Sequence, residues 1–176
     1  VGAPFVAIGE VGLDFYWSRE YEQEQMEAFE EQVKWSIETR LPLMIHCRKA
    51  QNEMVTIMRR YKNDLPGGVF HCFTGNEIEA AQLLDFRNFV IGIGGVLTFK
   101  KSNLPRVLPT IPLSRIVLET DAPYMAPVPM RGKRNESSFL GYVVEKMAEV
   151  YQIDPKEVRQ QTTANACRVF RIDLTD

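Results

Sequence analysis

The sequence predicts an α/β fold built on a buried parallel sheet, and three observations predict it. Short apolar runs alternate with longer amphipathic stretches. The runs are apolar almost throughout, as strands covered on both faces must be. Acidic groups and imidazoles fall at the C-terminal ends of the runs, where a closed barrel gathers its active site, and the glycines form no dinucleotide fingerprint of an open, doubly wound sheet. Of the two parallel architectures, these observations favour a closed (β/α) barrel over an open doubly wound sheet, and five strands can be read along the chain.

The first apolar strand is expected over Pro4 to Gly9, and Met26, Phe29, Val33 and Ile37 then recur at helical spacing. Leu43-Met44-Ile45 reads as a strand and Asn52 to Tyr61 as a helix. Gly68-Val69-Phe70 is a third strand, followed by a helix from Glu77 to Phe86. Phe89 to Ile93 is a fourth, and Gly92-x-Gly94-Gly95 reads as its tight exit rather than a ligand loop. The cluster Leu104 to Pro112 precedes a fifth strand, Arg115 to Leu118. Leu140, Val143, Val144, Met147 and Tyr151 mark a helix face. Asp154-Pro155 is an N-cap with proline at the first helical position, opening a short final helix that ends near Phe170.

The chain has 176 residues, of which 45% are hydrophobic and 25% charged, so it is one globular domain and neither disordered nor collagenous. Its formal charge of −2 excludes a nucleic-acid binder held by net charge, so any such contact is local. No run approaches the roughly 18 apolar residues of a membrane span, and no signal peptide is visible. Three cysteines, an odd number, suit a reducing cytoplasm. The chain opens on Val1 with its first strand almost at once, from which further upstream residues are expected.

Glu10, His46, His71 and Asp121 each stand at the end of a different apolar run, and the two histidines are all the chain has. Singly, each has a plain reading: a rim histidine, a turn or a helix cap. Jointly, four strand tips at one barrel mouth form a ligand set for divalent cations. Imidazole with oxygen donors suits zinc, manganese or iron, and water with oxygen donors admits magnesium. Glu10 has two oxygens and can bridge a pair of cations. Side chains two apart share a side of a strand, so Arg48 follows His46 towards the mouth as a phosphate clamp. The same alternation turns Cys47 and Cys72 away as buried structural thiols, and Cys167 has no partner in sight. Arg131, Lys133 and Arg134 form a basic loop, either a solvated surface or a phosphate guide at the rim. Phe73 and Tyr124 flank the mouth, where either could stack a base, with core packing the expected role of each singly.

Together these motifs resemble the TatD family of metal-dependent deoxyribonucleases. The resemblance rests on Ile8-Gly9-Glu10-Val11-Gly12-Leu13-Asp14, His46-x-Arg48-x-Ala50, His71-Cys72-Phe73-Thr74-Gly75, Gly92-Ile93-Gly94-Gly95 and Leu118-Glu119-Thr120-Asp121-Ala122-Pro123-Tyr124. Arg131 to Glu136 and Thr162-Thr163-Ala164-Asn165-Ala166 also match, so the likeness runs the length of the chain. It implies a (β/α)8 barrel that hydrolyses DNA phosphodiesters with two divalent cations (magnesium, manganese or zinc), as a 3'-5' exonuclease on single strands. Glu10 matches the metal-bridging carboxylate, His46 and His71 the ligands of the second metal, and Asp121 the first-metal ligand that orients the attacking water. DNA, with RNA as a further substrate, is the implied partner of a monomeric cytoplasmic protein.

The chain departs from the family in three places. It lacks the His-x-His pair of the family's first strand, so residues 1–176 are expected to be the C-terminal two thirds of a single catalytic barrel domain, with three strands upstream of Val1. Met130 stands where histidine is frequent, and Ser137 where proline is. Two rival readings stay open: a hydrolase of a small amide, lactone or phosphoester on the same barrel, and an inactive metal-binding fragment.

Overall fold

The computed structural model describes residues 5–173; Val1 and Pro4 of the sequence reading lie outside them. Five strands, β1 (Ile8–Asp14), β2 (Leu43–Arg48), β3 (Gly68–Phe70), β4 (Phe89–Ile93) and β5 (Ile116–Leu118), form one sheet in chain order. Every pairing is parallel. Strictly sequential order has no switch point, which separates this sheet from a doubly wound one. The strands are connected through α1 (Glu22–Thr39), α2 (Gln51–Arg60), α3 (Glu77–Leu84) and the single-turn α4 (Leu104–Val107), and α5 (Leu140–Tyr151) and α6 (Pro155–Phe170) follow β5. No helix among the described residues is long and apolar enough to cross a membrane.

Several boundaries differ from the sequence reading by one to a few residues, that of the first strand most. The first strand begins at Ile8 and runs through Glu10 to Asp14, because Val11 and Leu13 also pack into the core. Phe5 and Val6 are exposed and stand outside it. The final helix has the expected bounds, Pro155–Phe170, and at 16 residues is long rather than short. Asp154 caps its start by accepting from the Lys156 N–H, and its last turn packs on the sheet.

The sheet is buried on both faces, which is why its strands lack a polar stripe. Leu43, Ile45, Phe70, Ile91 and Ile116 face the helices and pack with Phe29, Val33, Met54 and Met58. On the opposite face Val69, Val90 and Val117 meet Ala166, Val169 and Phe170 of α6. Buried Asn165 fixes α6 there, its side-chain N–H donating to the carbonyls of Leu113 and Ile116 at 2.8 and 2.7 Å. Replacing Asn165 by Leu strands both carbonyls and is expected to cost about 2–3 kcal/mol in chemical denaturation.

Candidate metal centre

Strand register assembles the site. Ile45 pairs with Phe70, so His46 and His71, one residue further on, come side by side. On the other flank Gly12 pairs with His46. A Cβ at Gly12 would lie 1.8 Å from the His46 carbonyl oxygen, and its φ of +141° suits only glycine, so β1 passes His46 this closely only with glycine there. Glu10 and Asp14, four apart on β1, both reach towards His46.

Three ligand atoms meet at the strand tips. Glu10 Oε1 lies 3.1 Å from His46 Nδ1 and 2.9 Å from His71 Nε2, and the two ring nitrogens are 3.4 Å apart. Among the described residues these three side chains are the group able to hold a cation, their ligand atoms all lying within 4.8 Å of one another.

The far side of each ring is held by a carboxylate. His46 Nε2 lies 3.1 Å from Asp14 Oδ2, and His71 Nδ1 lies 3.3 Å from Glu119 Oε2. With the proton of each ring on this outer nitrogen, donating to its carboxylate, the inner nitrogens present lone pairs to Glu10. Three acceptors then face one another, an arrangement that only a positive charge between them stabilises. Burial alone would lower the pKa of His71, but Glu119 and Glu10 outweigh it and raise it. Glu119 Oε1 is buried and has no hydrogen-bond partner among the described residues. The donor set and this unsatisfied oxygen both fit a divalent cation.

Asp14 and Glu119 are the residues that sequence reasoning did not select. Their signal was strand parity: Asp14 shares a side with Glu10, and Glu119 with Asp121. Room for Glu119 comes from β4, where a Cβ on Gly92 would stand 3.3 Å from Glu119 Cγ and 3.1 Å from His71 Cα. Glycine at Gly92 thus serves the site as well as the strand exit.

Of the four expected ligands, the structure brings together Glu10, His46 and His71. Asp121 lies outside that tight group, half-buried in the loop after β5, where its carbonyl accepts from the Tyr124 N–H at 2.7 Å. It is near enough to Cys72 to act on that thiol electrostatically, as Glu119 and Glu10 do. Burial pushes the thiols of Cys47 and Cys72 up to about 12, but both are half-buried and line the cleft beside His71 rather than turning fully away from it.

The cationic residues divide into two kinds. Arg131 is engaged by the protein itself, lying 3.9 Å from the Phe99 ring centroid and donating to the Ala126 carbonyl. Arg48, Lys49, Lys133 and Arg134 are exposed and have no ion-pair partner among the described residues. Buried Asn135 docks the basic loop on the Asp121 loop, donating to the carbonyls of Pro123 (N–H) and Tyr124 (side chain) at 2.9 and 2.7 Å. Phe73 is buried as expected. Tyr124 is 69% exposed and not a core residue, because the loop that carries it turns outward on this docking.

Comparison with known proteins agrees with this geometry. A family model described as TatD related DNase matches residues 3–171. The "Uncharacterized metal-dependent hydrolase YabD" of Bacillus subtilis is 41% identical over 169 residues, which cover 96% of this chain and 66% of that protein. The "3'-5' ssDNA/RNA exonuclease TatD" of Cronobacter sakazakii is 38% identical over 174 residues, covering 96% and 66%. The crystal structure of YjjV, a TatD homologue from Escherichia coli K12, superposes with a TM-score of 0.87 at 28% identity, covering 95% of this chain and 64% of that one. The chain thus spans about two thirds of the length of the relatives it matches, and its α/β fold with a parallel sheet is that of the TIM-barrel-like TatD structures.

Asp14→Asn and Glu119→Gln are each expected to weaken manganese or zinc binding by about 10–100-fold in a metal titration, with an unchanged circular dichroism spectrum. Cys47 and Cys72 are expected to resist iodoacetamide at pH 8 in the native protein and to label once urea unfolds it, read by peptide mass.

Proposed function

We propose a function from one premise: the chain belongs to the TatD-related DNase family. It is part of a metal-dependent hydrolase that cleaves phosphodiester bonds of DNA, acting as a 3'-5' exonuclease on single strands and accepting RNA. The observation that carries this reading is the convergence of Glu10, His46 and His71, with both imidazoles backed by carboxylates. The printed name of the Cronobacter relative supports the substrate, and the unpaired cations at the rim support a polyanion.

Glu10, His46 and His71 would hold one cation, and Asp121 with Glu10 would hold a second. Magnesium, manganese or zinc bound there would supply a water of lowered pKa and positive charge for the phosphoryl oxygens. Asp14 and Glu119 keep the rings in the tautomer that leaves the inner nitrogens free. Asp121 orients the attacking water towards phosphorus. Arg48, Lys133 and Arg134 hold the phosphate backbone, and Arg131 supports the loop that carries the last two. These roles fall along the chain as one catalytic barrel unit, acting as a monomer.

The test is hydrolysis of a 5'-labelled single-stranded oligonucleotide with magnesium or manganese. Stepwise shortening from the 3' end is expected, lost with EDTA and in His71→Ala and Asp121→Ala. Undiminished hydrolysis by both variants refutes the assignment. Turnover of a small ester or lactone with none of DNA assigns the centre to a different hydrolase chemistry.

A further inference from the structure

The loop between β1 and α1 carries two aromatic side chains that the metal centre does not use. Trp17 is 81% exposed and Tyr16 is 48% exposed. Their rings meet edge to face, with centroids 4.9 Å apart and planes at 87°. The Arg48 guanidinium lies over Tyr16 at 3.6 Å and 5.5 Å from the Trp17 ring. An exposed tryptophan and tyrosine forgo the burial that usually stabilises such residues.

This loop is bonded to the metal centre. Asp14 holds His46 through Oδ2, and its Oδ1 accepts from the Tyr16 backbone N–H at 2.9 Å. The Phe15 N–H donates to the Arg48 carbonyl at 2.9 Å. The aromatic pair therefore keeps a set position relative to His46. Beside it opens a cleft of about 580 Å³ whose wall includes Tyr16, Arg48, Lys49 and His71. The wall also carries Glu53, paired with Arg19, and Glu79, which accepts from the Asn76 backbone N–H. Arg48 and Lys49 are the cations of that wall with no ion-pair partner among the described residues.

We propose that Tyr16, Trp17 and Arg48 form a stacking platform for a base of single-stranded nucleic acid, beside the centre that cleaves its backbone. The inference rests on the nuclease reading and adds a base contact to it. Aromatic faces with a guanidinium match the π-face of a base, and the unpaired cations match its phosphates. A single strand offers its base faces, whereas a duplex hides them in its own stack, so the platform selects single strands. Stacking is shared by all bases, so it does this without reading sequence.

The experiment measures binding in EDTA, where no hydrolysis intervenes. The affinity of a labelled oligothymidylate is compared by anisotropy with that of an abasic oligomer of equal length. Trp17 fluorescence is followed in a Trp35→Phe protein, since Trp35 is the other tryptophan. Oligothymidylate is expected to bind more tightly than the abasic oligomer and to quench Trp17. Trp17→Ala should weaken oligothymidylate binding about tenfold, leave abasic binding nearly unaltered, and be largely rescued by Trp17→Phe. Equal affinity for the two oligomers, or equal weakening of both by Trp17→Ala, overturns the proposal. Cleavage on adding manganese without any base preference would leave the nuclease reading standing and remove this one. Base-dependent binding without cleavage would do the reverse.

Discussion

Two imidazoles turn their inner nitrogens to one carboxylate oxygen because two further carboxylates hold their other sides. Asp14 and Glu119 impose this constraint on His46 and His71, and the local fold serves it. A carboxylate on the outer nitrogen fixes the tautomer and makes the inner nitrogen more basic. The cost is electrostatic. Three carboxylates and two lone pairs occupy one strand-tip cluster, with Glu119 Oε1 buried and unsatisfied among the described residues. Such a cluster is high in energy without a cation and strongly attractive to one, and this is the link from geometry to the proposed chemistry.

Rigid backbone makes the constraint affordable. His46 and His71 sit on central strands whose outer faces are packed against helices, so the chain cannot relax to separate the charges. Gly12 lets β1 approach His46, and Gly92 leaves space for Glu119 between β4 and β5. On the inner face the apolar contacts of α6 lie at the level of Val69 and Val117, one step along the strand before His71 and Glu119. The same strands therefore change from apolar core to polar site within two residues, which strand alternation permits and a helix would not.

The strands and helices were largely legible because burial on both faces leaves an unmistakable apolar run, as in Phe89 to Ile93. The end of β1 was not, since Gly9, Glu10 and Gly12 break the run for the sake of the site, and propensity gives way where function begins. Glu10, His46 and His71 were legible because each terminates a run. Glu119 was hidden by its neighbour: the Glu119-Thr120-Asp121 segment offers two carboxylates of equal parity, and only the turn after β5 decides which meets His71. Arg48 was expected to leave the strand towards the mouth, and it lines the same cleft as His71. Its stacking on Tyr16 was illegible, because that loop's path is set by Asp14 bonding to the Tyr16 backbone, a contact with no periodic signature.

Exposure at the centre also indicates the direction from which a substrate arrives. The His71 side chain is 10% exposed, His46 33% and Glu10 53%, so the cluster opens from β3 towards β1. The deep histidine is the one backed by Glu119, the residue after β5, and the open carboxylate is on the strand that leads into the aromatic loop. A polyanion approaching over Glu10 would meet repulsion from that carboxylate first, with Asp14 and Glu119 behind the two rings. Arg48 and Lys49 at the end of β2, beside the same opening, offset it, and attraction between fixed cations and mobile phosphates extends over about a Debye length of 8–10 Å at ordinary salt. The chain's acidic surface and basic rim thus act together. Net charge disfavours indiscriminate binding of nucleic acid, and Arg48 and Lys49 favour it at the edge where Glu10 is open to solvent.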